Sequence, residues 1–342
     1  MTTSIIGRAC AIGASVALLA LAGGAVPMQA VADPQVGGPA ITEAVFFGDS
    51  LTDAGTYGFR FTTMPGKTWA QHVAQRLGQS DRPNEHVAAY DDVYQGKPGL
   101  PGPGGLNYAE GGARANSAYS TVSDDPEGTP ISTEVQVNRF LAQHGSFAPN
   151  QVVTLYVGTN DVAYNYDLTK DPELAQSLRD GVPAGEDVMV GERARVQAAA
   201  TDEAQTAMKI LANGAQRLLV FKLFDTSLDP WFRTDAARQY VGELGAVYNQ
   251  TLLAALPPDP RIQILDTEAF VDDLLQNADR YGFTHGANED ACARPDQDYC
   301  DAASLKSPDA DRTYVFAAAE HMTTHANELL GDYVLQQIGL AG

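Results

Sequence analysis

The stretch FFGDSLTDAG, from Phe46 to Gly55, sets a single serine just where an apolar run stops. Ser50 in such a turn is either an ordinary helix cap or a nucleophile held in the open. Serine hydrolysis also needs a base in hydrogen-bond reach and donors aimed at the developing oxyanion. The G-x-S-x-G elbow is absent, since Ser50 lies in Gly-Asp-Ser-Leu-Thr. Three other stretches supply the remaining chemistry. NYAEGGARA, from Asn107, offers backbone N–H groups at Gly111 and Gly112. YVGTNDV closes an apolar run with Gly158, Asn160 and Asp161, and EHMTTHAN carries His321 just before a helical pattern. Taken alone, Asn160 reads as a turn residue, because Asn-Asp favours turns. His321 and His325 stand four apart, a zinc-like spacing, but no glutamate follows His321 as in H-E-x-x-H and no third ligand is evident, so no metal is expected.

These residues need a frame. Five apolar or β-rich runs, Ala44–Phe47, Leu106–Ala109, Val152–Val157, Leu218–Phe224 and Ile262–Leu265, are mostly continuous, as in strands covered on both faces. Between and after them lie helical patterns. One places Trp69, Val73 and Leu77 four apart and stops at Gly78; another opens on Ser132 and Thr133 and ends at Gly145. Longer helices are expected over Glu192–Asn213 and Asp235–Ala255, and a last one over about Thr323–Ile338. Gly96 to Gly105 reads as a loop, as does much of the acidic Tyr164–Gly191, with room for one helix. Alternating strand and helix predicts a parallel sheet with helices on both faces, whose ligands gather beyond the carboxyl ends of the strands. Ser50 ends the first of these strands.

The four chemical stretches, in this order and over about Glu43 to Leu340, resemble the GDSL, or SGNH, family of esterases and lipases. FFGDSLTDAG is similar to its nucleophile block, NYAEGGA to its glycine block, GTND to its G-x-N-D block and HMTTH to its histidine block. FTTMPGKTWAQHVAQRLG and ANEDAC are also similar to secreted bacterial members. The resemblance implies a three-layer α/β/α fold with a flavodoxin-like parallel sheet. It implies that Ser50 is the nucleophile and His321 the base, with the Ser50 N–H, the Gly111 N–H and the Asn160 amide as the oxyanion hole. Gly111 and Gly112 are adjacent candidates for the backbone donor, and Gly111 is the expected one. Asp161 is expected to brace its loop. The family's aspartate three residues before the histidine is replaced by Ala318, and its following proline by Met322. A carbonyl, a water, an anion, Asp309 or Asp311 is left to orient His321; Glu320 stands two positions too late. Tyr57, Phe59, Phe61 and Trp69 are candidates for an acyl pocket or for core.

The rest of the chain bounds the setting. Of 342 residues, 43 are acidic and 22 are Lys or Arg, a formal net charge of −21 that disfavours nucleic-acid and anionic-membrane partners. Arg8, the apolar segment from Ala11 to about Val26, and Ala30-Val31-Ala32 form a signal-peptide pattern. We therefore expect residues 1–32 to be removed and 33–342 to form one hydrolase domain, secreted, with no membrane span afterwards. Export leaves Cys292 and Cys300, an even count at close spacing that favours a disulfide. The expected activity is hydrolysis of a small-molecule or lipid carboxylic ester without a cofactor. The alternatives are a phospholipase or lipid acyltransferase, and a non-catalytic secreted binding protein that lost activity with the aspartate.

If nothing else orients His321, Ala318→Asp should raise turnover at pH 8 roughly tenfold or more, since removing a triad aspartate can cost about 10⁴. The acidic limb of the pH–rate profile should then move to higher pH, because a nearby carboxylate favours the imidazolium. A smaller gain would show that another group already holds the ring.

Overall fold

In a computed structural model, the structure describes residues 39–86, 100–117, 130–167, 171–294 and 298–340. The expected signal segment and the first part of the Gly96–Gly105 loop lie outside the described residues. Four strands form the central parallel sheet: β1 (Glu43–Gly48), β4 (Gln151–Tyr156), β5 (Leu218–Phe221) and β6 (Ile262–Leu265), in the order β1-β4-β5-β6. Two small pairs flank it, β2 (Glu85–His86) with β3 (Leu100–Pro101), and β7 (His285–Asp290) with β8 (Tyr314–Phe316). The run expected as a strand at Leu106–Ala109 lies along the free edge of β1: Phe46 N donates to Leu106 O at 2.9 Å, and Tyr108 N to Phe46 O at 2.8 Å. It forms single bridges rather than a full strand, because the Asn107 side chain turns back to bond the main chain at Thr52 and Ala109. With that segment on the outside, the parallel order is flavodoxin-like.

Successive side chains of β1 point to opposite faces, and each face meets its own helices. Phe46 packs edge-on against Trp69, which is fully buried and also contacts Phe221. Trp69 opens α1 (Trp69–Arg76) and so belongs to the core, not to an acyl pocket. Phe47 packs against Phe140 and Phe147 on the other face. Phe140 lies in α2 (Thr133–His144), which is capped by the Ser132 hydroxyl and closed at Gly145 as its sequence predicts. The layers are thus helix, sheet and helix. Losing the Trp69 side chain would remove a contact shared by two strands and cost about 3–5 kcal/mol.

The Tyr164–Gly191 stretch departs from the expected loop. α3 (Thr159–Asp167) and α4 (Pro172–Arg179) occupy much of it, and α5 (Glu186–Ala212) begins six residues before its expected start at Glu192. The local signals are physical: Asp171 caps the Leu174 N–H with Pro172 in the first turn, and Glu186 and Asp187 face the positive end of α5. α6 (Asp235–Ala255) packs along α5. α7 (Thr267–Gln276), α8 (Ala278–Tyr281), α9 (Ala310–Thr313) and α10 (Thr324–Gln337) complete the chain, with α10 packed against α1.

Cys292 and Cys300 are joined by a disulfide, buried against Ala317 and Ala318. The bridge ties the connection after β7 to the strip that carries His321: Cys292 N donates to Ala317 O at 3.0 Å, and Met64 N to Cys300 O at 2.6 Å. Closing so short a loop contributes about 2–3 kcal/mol in the loop-entropy view. Protein purified without reductant should therefore show no free thiol in denaturant, and two titratable thiols would refute the bridge. Reduction should lower activity by more than the loss of about 2–3 kcal/mol of stability accounts for, because the bridge borders the histidine turn and not the sheet.

Candidate active site

The carboxyl ends of the parallel strands deliver three of the four chemical stretches to one edge. β1 ends at Gly48, where any Cβ would run into the Tyr156 carbonyl of β4, so only glycine lets the strands close there. The chain then turns on Asp49, whose carboxylate accepts from Leu51 N at 3.1 Å and whose carbonyl accepts from Thr52 and Asp53 N at 3.0 Å each. Ser50 sits at the apex, nearly buried. Asn107 latches the turn from the side by donating to Thr52 O at 2.8 Å.

Two buried aspartates join the stretches. Asp53 accepts from Gly55 N (2.7 Å), Thr56 N (2.8 Å) and Gly111 N (2.9 Å), binding the serine turn to the glycine turn. Asp161 accepts from Arg114 Nε (2.9 Å) and Ala115 N (3.0 Å), binding the glycine turn to the start of α3, and its carbonyl takes a further bond from Arg195. Asn160 donates one amide N–H to Ala113 O at 3.0 Å, which fixes the amide plane. Its second amide N–H has no acceptor among the described residues.

His321 comes from the opposite end of the chain. β8 leads into a tight turn with Ala319 in left-handed backbone (φ 46°), closed by Ala317 N donating to His321 O at 2.7 Å. Thr62 Oγ1, donating to Met322 O at 2.8 Å, and the Thr63–Thr324 hydroxyl pair at 2.8 Å anchor the turn to the strip after Ser50. His321 Nε2 lies 2.9 Å from Ser50 Oγ. The ring is 2% exposed, and burial pushes its pKa down to about 4, so it is neutral at physiological pH. With Nε2 facing the serine hydroxyl as acceptor, Nδ1 carries the proton; among the described residues it has no well-formed hydrogen bond.

The other expectations sort by geometry. Gly111 N–H is committed to Asp53, and a Cβ at Gly111 would strike the Phe61 ring. The Gly112 N–H, in left-handed backbone (φ 82°), donates to nothing among the described residues. The expected donor at Gly111 is thus occupied, and its neighbour is open. Asp309 bonds the Ser307 hydroxyl at 2.7 Å and stays exposed, and Asp311 lies in α9. Glu320 lies 4.0 Å from Nε2, on the serine side of the ring. The charge of Asp298, which the sequence did not single out, favours the protonated ring against the effect of burial. Tyr57, Phe59 and Phe61 form a small cluster apart from the core, with the Phe61 ring centroid 4.9 Å from that of His321. His325 on α10 faces the Tyr281 carbonyl at 2.7 Å. Among the described residues, no three His, Cys, Asp or Glu side chains gather into a metal-binding group.

Comparison with known proteins gives a family. The description GDSL-like lipase/acylhydrolase matches residues 45–334. The phosphatidylcholine-sterol acyltransferase of Aeromonas hydrophila is 26% identical over 233 residues, 67% of this chain and 61% of that protein, so the chain spans less than two thirds of that relative's length. Similar solved structures include an acetylxylan esterase from Geobacillus stearothermophilus (14% identity, 87% of this chain and 94% of that one, TM-score 0.40) and a carbohydrate acetylesterase from Sinorhizobium meliloti (13%, 87% and 98%, TM-score 0.39). Superpositions this loose carry no functional argument.

The site rests on buried acids, and that sets a pH dependence of stability. Burial raises Asp49 from 3.8 to about 7, Asp53 to about 6 and Glu110 to about 8, and it lifts Glu203 well above its ordinary range. Each keeps its proton in the folded chain where the unfolded chain has lost it. Their contribution is complete below the unfolded values near 4 and is lost as pH rises through the folded ones. Tm should therefore fall between pH 4 and pH 8, and Asp49→Asn should flatten that fall up to pH 7. A parent Tm that rises with pH across this window would contradict the assignment.

Proposed function

This chain belongs to the GDSL-like lipase/acylhydrolase family, and we propose that it is an ester-hydrolysing enzyme, a secreted serine esterase or lipase working through an acyl-serine intermediate. The observation that carries the reading is the 2.9 Å contact between His321 Nε2 and Ser50 Oγ. In this reading Ser50 attacks the acyl carbon while His321 takes the hydroxyl proton. The oxyanion forms beside the N–H of Ser50, the N–H of Gly112 and the free amide N–H of Asn160, which are held by bonds already made and need no reorganisation. His321 returns the proton to the leaving alcohol. Water, activated by the same ring, then releases the acid. No step calls for a cofactor.

The committed Gly111 N–H supports moving the backbone donor one residue along, to Gly112. The apolar wall of Phe59 and Phe61 beside His321 supports an acyl group as the part of the substrate bound next to the nucleophile. The signal pattern and the buried disulfide support export, with residues 33–342 as the mature single domain. A second reading has its own support in the acyltransferase relative: a lipid alcohol takes the acyl group in place of water. Both readings share the acyl-serine and differ only in what resolves it.

Ser50→Ala and His321→Ala should each lower hydrolysis of a chromogenic short-chain ester by about 10⁴-fold or more, and the double variant should be little worse than either, as for residues that act as a unit. Losses that add would sink the pairing.

A further inference from the structure

His321 presents an unsolved problem of orientation. Its ring is buried, and its Nδ1–H, the hydrogen that the missing aspartate would hold, makes no well-formed hydrogen bond among the described residues, although the Ala318 and Asp298 carbonyls act on the ring. An orphaned buried donor is costly, and an unheld ring is free to rotate away from the serine. Position 318 supplies only a methyl group, fully buried against the disulfide.

The two ends of the disulfide loop lie close to the histidine turn. Cys300 pairs with the strip at Thr63 and Met64, and both half-cystines pack on Ala317 and Ala318, the residues just before the histidine turn. Tyr299 stacks on Phe59 with centroids 4.4 Å apart, Phe59 meets Phe61 at 5.0 Å, and Phe61 meets His321 at 4.9 Å. Tyr299 therefore backs the aromatic rings that line the imidazole, Cys300 packs on Ala317 and Ala318 just before the histidine turn, and Asp298 is their neighbour in the chain. We infer that Asp298, two residues ahead of the bridged Cys300, is the positioning residue for His321 and supplies from a different segment the negative charge that an aspartate at 318 would bring. The inference rests on His321 being the base.

The electrostatics point the same way. Burial lowers the basicity of His321; the groups that oppose it are, in order, the Asp298 carboxylate, the Ala318 carbonyl and the Asp298 carbonyl. Glu320 is the other acid near the ring, and it stands at Nε2, where it cannot hold Nδ1. Asp298 is thus the acid that offsets desolvation and favours the imidazolium formed when Ser50 gives up its proton. A carboxylate brought by a covalently closed loop loses less freedom on reaching its place than one on an open loop.

The test uses the full mature protein and its Asp298→Asn variant, with two readouts. For ester hydrolysis, kcat should fall on the order of 10²-fold with KM little changed, less than the ~10⁴ for loss of a conventional triad aspartate because the carbonyls remain. Titration of His321 followed by NMR should move to lower pH. Adding Ala318→Asp should give a small gain in the parent and a gain of tenfold or more in the Asp298→Asn background, a rescue that a merely structural role for Asp298 would not allow. An unchanged kcat and an unchanged His321 titration in Asp298→Asn would overturn the inference and leave the Ala318 carbonyl as the holder. If Ala318→Asp fails to fold, the titration alone decides. If the parent hydrolyses no ester, the functional reading falls, while the titration still tests the placement of Asp298.

Discussion

One hydrogen bond, from Ser50 to His321, joins residues 271 apart in the chain and sets what the rest of the fold must do. A bond of that kind is worth little by itself against the entropy of closing so long a loop. It exists because a parallel sheet, buried on both faces, brings its strand ends to one edge and leaves a gap that the last turn can enter. Phe46 and Phe47 fix β1 from opposite sides, and Gly48 lets it close on β4 just before the serine. From the other end, the Thr62 and Thr63 contacts pull the histidine turn onto the strip that follows the nucleophile.

Putting this machinery out of water has opposing consequences. Asp53 and Asp161 hold three turns together through main-chain N–H groups, which a side chain in bulk water would do poorly. The same burial makes several carboxyls reluctant to ionise, Asp49 and Glu110 among them. It also leaves His321 as a free base at neutral pH but a weak one, with a pKa of about 4. General-base catalysis works best when the base titrates near the working pH. A carboxylate that raises the basicity of His321 is therefore worth more here than in an open site, which gives the role proposed for Asp298 its weight.

Much of this was legible in the sequence, and what was not has identifiable causes. Ser132 and Gly145 bound α2 because cap and stop are local signals, and α6 spans the expected Asp235–Ala255 for the same reason. The strand edge that carries Ser50 and Asn160 follows from alternating elements. The Tyr164–Gly191 helices were hidden by an acidic, proline-containing composition, although Asp171-Pro172 is itself a helix start. Trp69 sits at the head of an amphipathic helix, and only the packing of Phe46 and Phe221 tells its core role from a pocket role. Gly111 and Gly112 differ in which N–H Asp53 captures, a contact between residues 58 apart. Asp298 carries no motif at all; the bridge at Cys300 was legible in the close cysteine pair, but the stack of Tyr299 on Phe59 at the end of that loop has no local pattern.

The central claim is that Ser50 is a nucleophile activated by His321. The most direct measurement is labelling of the purified protein with a fluorophosphonate, followed by peptide mass spectrometry. The account predicts a single adduct on Ser50, formed rapidly by the parent and at a greatly reduced rate by His321→Ala. No adduct, an adduct on another residue, or equal labelling of the two proteins would contradict it.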